Sequence, residues 1–244
     1  MQATHLYKAF GLIFESELEI PELIESTATD AVDVTITAGD VPAMLAEGKR
    51  QGACFETAPG EFLFFLEGVG RFLALGGSKI VYQADAEATG ADLRVFLLGS
   101  VFGAILQQRG LFPIHASAVE HEGAAIAFMG NSGIGKSTTA AAFLKRGCRL
   151  ITDDVCAIQL VDGLPVVVPG YPQGKLWLDS MQQLEMKAAD FEPIRNKVAK
   201  RAIPTREQFC EDRLPLKRIY QLLKSNTAVQ NSGFSCRVSL HLAG

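Results

Sequence analysis

The chain has 244 residues, 48% hydrophobic and 20% charged, which suits a globular protein of one large domain or two modest ones. A formal net charge of −4 argues against a general nucleic-acid binder, which carries a basic face. Five scattered cysteines without a C-x-x-C pair favour a reduced intracellular protein without structural zinc.

No basic stretch followed by an apolar one opens the chain, so no secretory signal is expected. The longest apolar segment, Val95 to Leu106, is too short to cross a membrane and is interrupted by Gly99, Ser100 and Gly103. The expected location is cytoplasmic, with neither nucleic acid nor membrane as partner.

In chain order, residues 1–90 read as a β-rich N-terminal region. Val32, Val34 and Ile36 alternate with polar neighbours at the period of a half-buried strand. Phe62 to Leu66 and Phe72 to Leu75 flank a turn at Glu67 to Arg71, and Lys79 to Tyr82 adds a further strand. Residues 91–109 have apolar positions near helical spacing and Gly110 as a stop, which predicts a core helix.

Beyond residue 111 the pattern becomes α/β, so residues 91–244 are expected to form one core with this linking helix and C-terminal elements. His115 sits in a predicted strand, where the residues alone favour an ordinary hydrogen-bonded histidine. Ala124 to Met129 reads as a buried parallel strand. Gly130-Asn131-Ser132-Gly133-Ile134-Gly135-Lys136-Ser137 then follows the phosphate-binding loop pattern G-x-x-x-x-G-K-S, also called Walker A. Its glycines let backbone N–H groups curl round a phosphate chain. Lys136 can reach the β/γ-phosphates, and the Ser137 hydroxyl can ligate Mg²⁺. A helix from Thr138 to Arg146, ended by Gly147, turns its positive end on the phosphates.

Arg149 to Thr152 is a predicted strand closing at Asp153-Asp154. A strand-end carboxylate there suits Mg²⁺, and the second of the pair could accept a proton from an attacking hydroxyl. Val155 to Leu160 and Pro165 to Val168 read as strands round Asp162-Gly163. A helix is expected from Leu178 to Ala189, and Arg218 to Leu223 is expected to return a strand to the sheet. Arg195, Lys197, Lys200 and Arg201 form a basic cluster that either clamps phosphates or an acidic peptide, or is a solvated helix face. The tail from Ser225 to Gly244 has no clear periodicity.

From His115 to Ile158 the chain resembles the catalytic core of the HPr kinase/phosphorylase family. The shared pattern is His115, the loop Gly130–Ser137, Lys145-Arg146-Gly147, and Leu150-Ile151-Thr152-Asp153-Asp154. The resemblance implies a P-loop, HPr-kinase-like nucleotide-binding core behind the small β-rich region. It places Lys136 on the transferred phosphate, Ser137 on Mg²⁺ and His115 beside the γ-phosphate. Asp154 would be the general base, and Asp153 would assist the metal or orient Asp154.

Past that core the chain departs from the full enzyme. Pro169 to Asp179 stands in place of the family's glycine-rich signature, so the resemblance does not extend to phosphorylase activity or to HPr as substrate. Asp179 is a candidate for the missing carboxylate.

The shorter layout is similar to the HPr-kinase-related proteins of lasso-peptide gene clusters. The shared elements are Phe10-Gly11-Leu12, Ile20-Pro21-Glu22-Leu23, Phe96-Leu97-Leu98-Gly99-Ser100, Gln108-Arg109-Gly110, Pro169-Gly170-Tyr171-Pro172 and Leu176-Trp177. Such relatives phosphorylate a serine on a small precursor peptide, and HPr-kinase relatives often assemble as homo-oligomers. The expected function is therefore a Mg-ATP-dependent serine kinase, with GTP as an alternative nucleotide. A nucleotide-binding regulatory module and a small-molecule phosphotransferase on the same fold are the alternatives.

Overall fold

The computed structural model describes residues 4–27, 31–50, 52–195 and 198–224. The first nine strands are β1 (His5–Ala9), β2 (Leu12–Ser16), β3 (Ile24–Glu25), β4 (Val34–Ala38), β5 (Lys49–Arg50), β6 (Phe55–Ala58), β7 (Glu61–Leu66), β8 (Gly70–Leu75) and β9 (Lys79–Ala84). They form one mixed sheet in the order β3-β1-β2-β4-β9-β8-β7-β6-β5. The alternation read in β4 holds: Val34 and Ile36 are fully buried, and Thr35 and Thr37 face the other side. Val32 lies before the strand and is exposed. The expected β7–β8 hairpin is present, with Leu66 paired to Gly70. A tight turn at Phe10 and Gly11, both with positive φ, joins β1 to β2.

The predicted core helix runs from Gly90 to Gln108 as α1 (Gly90–Phe96), one π turn (Leu97–Val101) and α2 (Phe102–Gln108). Thr89 and Asp92 cap its start reciprocally, satisfying two backbone donors that helix geometry leaves open. By length and composition it could cross a membrane, but Leu97, Val101, Phe102 and Ile105 are fully buried in the protein core. Phe102 stacks on Phe14 with ring centres 4.6 Å apart.

The remaining elements are β10 (Phe112–His121), β11 (Ala124–Met129), α3 (Lys136–Leu144), β12 (Arg149–Thr152), β13 (Val155–Val161), β14 (Leu164–Val168), β15 (Gln173–Trp177), α4 (Leu178–Gln183), β16 (Lys200–Pro204) and β17 (Leu214–Gln221). Six of the strands form a second sheet in the order β11-β17-β14-β13-β10-β12, while β15 and β16 pair separately. β11 has the parallel neighbour its apolar run predicts, because β17 returns beside it; its other neighbour, β10, is antiparallel. The β13–β14 turn uses Asp162 and Gly163, both at positive φ.

The helix expected over residues 178–189 is shorter. α4 stops at Gln183, Glu185 takes the left-handed conformation at φ 53°, and only a 3₁₀ turn follows at Ala188–Asp190.

The main apolar core is shared between the two sheets. It joins Tyr7, Phe14, Ile36, Phe72 and Ile80 to helix residues Leu97, Phe102 and Ile105, and then to Val155, Ala157, Val168 and Tyr171. The motifs that flank the loop in sequence meet here. The Phe10 N–H bonds the Pro169 carbonyl at 2.9 Å, and the Phe10 ring meets Phe102 and Tyr171 edge-on. Gly170 passes so close to Thr152 that a Cβ would lie 2.5 Å from its hydroxyl. This packing braces the Asp153-Asp154 turn from behind.

Candidate active site

β10 changes partner in mid-course. Residues Phe112 to His115 pair with β13, and Ala116 to His121 pair with β11. His115 therefore sits at the junction, and Ser117, two residues on, shares its face. These two meet the two aspartates of the β12–β13 turn.

Asp153 is almost fully buried and saturated with donors. Its Oδ1 accepts from the Ser117 hydroxyl at 2.5 Å and from the Ser137 hydroxyl at 2.9 Å, and its Oδ2 accepts from the Lys175 N–H at 2.8 Å. Asp154 is held at φ 83°, a conformation that costs a non-glycine residue on the order of 1–3 kcal/mol. Its Oδ1 lies 3.1 Å from His115 Nδ1, and its Oδ2 lies 2.8 Å from Lys175 Nζ. His115 Nδ1 also faces the Asp154 carbonyl at 2.9 Å. Both partners are acceptors, so Nδ1 carries the proton and Nε2 is left free.

These contacts set the charges. Burial alone would raise the Asp154 carboxyl, but the Lys175 ammonium and the His115 hydrogen bond hold it well below the usual carboxylate range. The hydrogen bond to Asp154 raises His115, against the effect of burial. Burial pulls Lys175 down, yet Tyr171 and Asp154 leave it raised overall. For Lys136 burial prevails, and its pKa is lowered despite both aspartates.

The Gly130–Ser137 loop joins β11 to α3. Gly130 has φ 148°, and a Cβ there would stand 2.8 Å from the Leu222 carbonyl. Lys136 Nζ folds back onto the carbonyls of Gly130 and Asn131, at 2.9 and 3.2 Å. The Asn131 carbonyl also accepts the Ile134 N–H. Gly135 is the N-cap of α3, with φ 107°, no side-chain cap and no acid in the first turn. Such a start leaves backbone N–H groups open to an anion.

One cavity collects His115, Ser132, Gly133, Gly135, Lys136, Ser137, Thr138, Asp153 and Asp154. Gly130, Asn131 and Ile134 shape the loop without lining this cavity.

Four residues not singled out as site residues also line it, together with Asp179. They are Lys175 and Trp177 of β15, Ser180 of α4 and Lys200 of β16. Thr138 donates to Ser180 at 2.8 Å, and the Lys200 ammonium sits 4.8 Å over the Trp177 ring. Of the described residues of the basic cluster, Lys200 alone lines the cavity. Arg195 pairs with Asp92 at 3.0 Å, Arg201 donates to the Ala188 carbonyl, and Lys197 lies outside the described residues. The period of two along β10 from His115 is the signal that finds Ser117. No spacing pointed to Lys175, because β15 lacks a readable strand pattern.

Residues 111–168, about a quarter of the chain, match the family model of the HPr Serine kinase C-terminal domain. Among individual relatives, the HPr kinase/phosphorylase of Clostridium beijerinckii is 48% identical over 50 residues, which are 20% of this chain and 17% of that protein. Its counterpart in Clostridium botulinum (strain Eklund 17B / Type B) is 50% identical over 50 residues, 20% of this chain and 16% of that protein. That of Treponema pallidum subsp. pallidum is 40% identical over 57 residues, 23% and 18% of the two chains. The similar stretch thus spans less than a fifth of each relative's length. A solved structure, the Hpr(Ser) kinase/phosphatase from Coxiella burnetii, aligns with 50% of this chain and 66% of that one, at 13% identity and a TM-score of 0.33.

The matched segment contains His115, the whole loop and both aspartates, and it ends at Val168. Lys175, Trp177, Ser180 and Lys200 lie beyond it.

Proposed function

We propose that this chain is a Mg-ATP-dependent kinase of HPr-kinase type that transfers the γ-phosphate to a serine hydroxyl of a peptide or small protein. The observation that carries this reading is the Asp154 carboxylate, held between His115 and Lys175 in the same cavity as Lys136 and Ser137. A module that only bound nucleotide would have no use for a positioned, unprotonated carboxylate there.

The donor set fits magnesium. No group of three or more histidine, cysteine or acidic side chains that could cage a metal occurs among the described residues. Ser137 Oγ and Asp153 Oδ1 lie side by side at the loop, which suits an ion held chiefly by phosphate oxygens and water. When bound there with ATP, Mg²⁺ would neutralise charge on the phosphates.

The chain's own residues then have distinct tasks. Lys136 exchanges its two carbonyl partners for phosphate oxygens, and the open N–H groups of α3 receive the remaining charge. The serine oxygen forms a bond to the γ-phosphorus as the bridge to ADP breaks, and the hydroxyl proton passes to Asp154. Lys175 keeps Asp154 ionised at neutral pH at the expense of basicity. That suits a loose transition state, in which the hydroxyl becomes acidic only as the new bond forms.

The flanking elements around Phe10, Gly99 and Tyr171 support a lasso-type precursor peptide as the acceptor. Phosphorolysis is not part of the proposal, because the resemblance ends where β15 and α4 begin.

Labelled ATP with a serine peptide tests the assignment. Asp154→Asn is expected to bind nucleotide as the wild type does and to transfer phosphate roughly 10²–10⁴-fold more slowly. Equal transfer rates for the two proteins would refute Asp154 as the base.

A further inference from the structure

A second cavity, of roughly 920 Å³ open volume, adjoins the site and shares only His115 and Asp154 with it. One wall is the helix, at Val95, Gly99, Ser100 and Gly103; the other is the start of β10, at Pro113 and Ile114. Apart from His115 and Asp154, no titratable side chain lines it. The helix is irregular at this wall: Gly99 and Ser100 lie in the π turn, a distortion often found at functional sites. A Cβ on Gly99 would lie 3.9 Å from Asp154 Oδ2, so the helix backbone runs beside the carboxylate.

Gly103, one turn further along the same face, has no packing reason to be glycine. A Cβ there would meet nothing within 4 Å, unlike at Gly70 or Gly170, where backbone or side chain crowds the position. Glycine is a poor helix former, and here it keeps space open rather than fitting a close contact.

We propose that this groove seats the acceptor, as an extended peptide segment whose residues flanking the serine are uncharged and apolar. The fate of the hydroxyl rests on the kinase reading, but occupancy of the groove does not. The position of Asp154 between the two cavities supplies the continuity: nucleotide on one side, acceptor on the other. Beyond the shared His115 and Asp154 the lining offers no charged side chain, which disfavours a phosphorylated or carboxylated metabolite, since that would need cationic partners. One wall of the groove, residues 95–103 of the helix, lies outside the family-matched segment, and the other, at Pro113 and Ile114, lies inside it.

The probes are three fluorescein-labelled heptapeptides with a central serine, flanked by alanine and leucine, by glutamate, or by lysine. Anisotropy is read on the full chain with a non-hydrolysable ATP analogue present. The apolar peptide is expected to bind at least tenfold more tightly than either charged one. Gly103→Leu is expected to weaken it by at least tenfold while the affinity for the ATP analogue stays the same. Ser100→Glu, at the exposed rim, provides a second variant with the same expected direction.

Equal peptide affinity for wild type and both variants overturns the groove. So does preference for a charged peptide, or failure of any peptide to bind. A Gly103→Leu change in sedimentation mass without peptide binding would assign the face to a second copy of the chain instead. Binding that obeys the expected pattern without phosphate transfer would keep the groove and sink the kinase reading. Transfer undiminished in Gly103→Leu would do the reverse.

Discussion

Lys175 donates its N–H to Asp153 and its ammonium to Asp154, so one residue of β15 fixes both carboxylates. Its side chain is 7% exposed and that of Asp154 is 30% exposed, which makes the ion pair half-buried. Breaking a buried pair costs about 3–5 kcal/mol. Asp154 retains His115 and some solvent, so Lys175→Met is expected to cost about 2–3 kcal/mol and lower Tm by roughly 5–10 °C by calorimetry. It should also move the acidic limb of the pH–rate profile upward, since Asp154 loses the cation that keeps it ionised. A purely structural lysine would leave that limb in place.

The His115–Asp154 contact has its own pH signature. The folded His115 value is raised above 6.5, so its contribution to stability is full below 6.5 and fades as pH rises through the raised value. The Asp154 value is lowered below 3.8, so its contribution is present above 3.8 and is lost as pH falls further. Asp154→Asn should flatten the stability–pH curve above 6.5 and return His115 toward its ordinary value by NMR titration.

The loop and its flanking elements were the most legible part of the chain. β11 and β12 have the bounds their apolar runs predict, because strands buried on both faces need no alternation and end at glycine or aspartate. α4 was misjudged because the left-handed Glu185 breaks a helical pattern that composition alone supports. β15 and β16 went unread, since each is defined by the other rather than by its own periodicity.

The loop glycines differ physically. A Cβ on Gly133, at φ 78°, meets nothing, so Gly133→Ala should cost only the left-handed penalty of about 1–2 kcal/mol. Gly130→Ala adds a clash with the Leu222 carbonyl and should cost more, on the order of 3 kcal/mol, with loss of nucleotide binding. Equal melting temperatures for the two variants would contradict this ranking.

At the scale of the molecule, one apolar core runs from the nine-stranded sheet through the helix to Val155 and Tyr171. Residues 1–90 and 91–244 can be proposed as two parts of the chain, but their shared apolar surface predicts cooperative unfolding. Calorimetry is expected to show one transition, and Phe102→Ala, at the centre of the aromatic stack, should lower it by about 3–5 kcal/mol without splitting it. Two resolved transitions would show that the nine-stranded sheet and the six-stranded sheet unfold independently.

The sequence by itself determined the strand, loop and helix around Gly130–Ser137, because each of those features is local. Glycine freedom, helix start and apolar run are all written within about twenty residues. It also put His115 and the two aspartates in one argument, through their resemblance to a known kinase core. Only the tertiary structure decided that Lys175 charges Asp154, that Phe10 and Tyr171 brace the acidic turn, and that a groove with no further titratable side chain opens beside it. Those relations join residues far apart in the chain, and they are set by strand pairing and core packing, which no local spacing encodes.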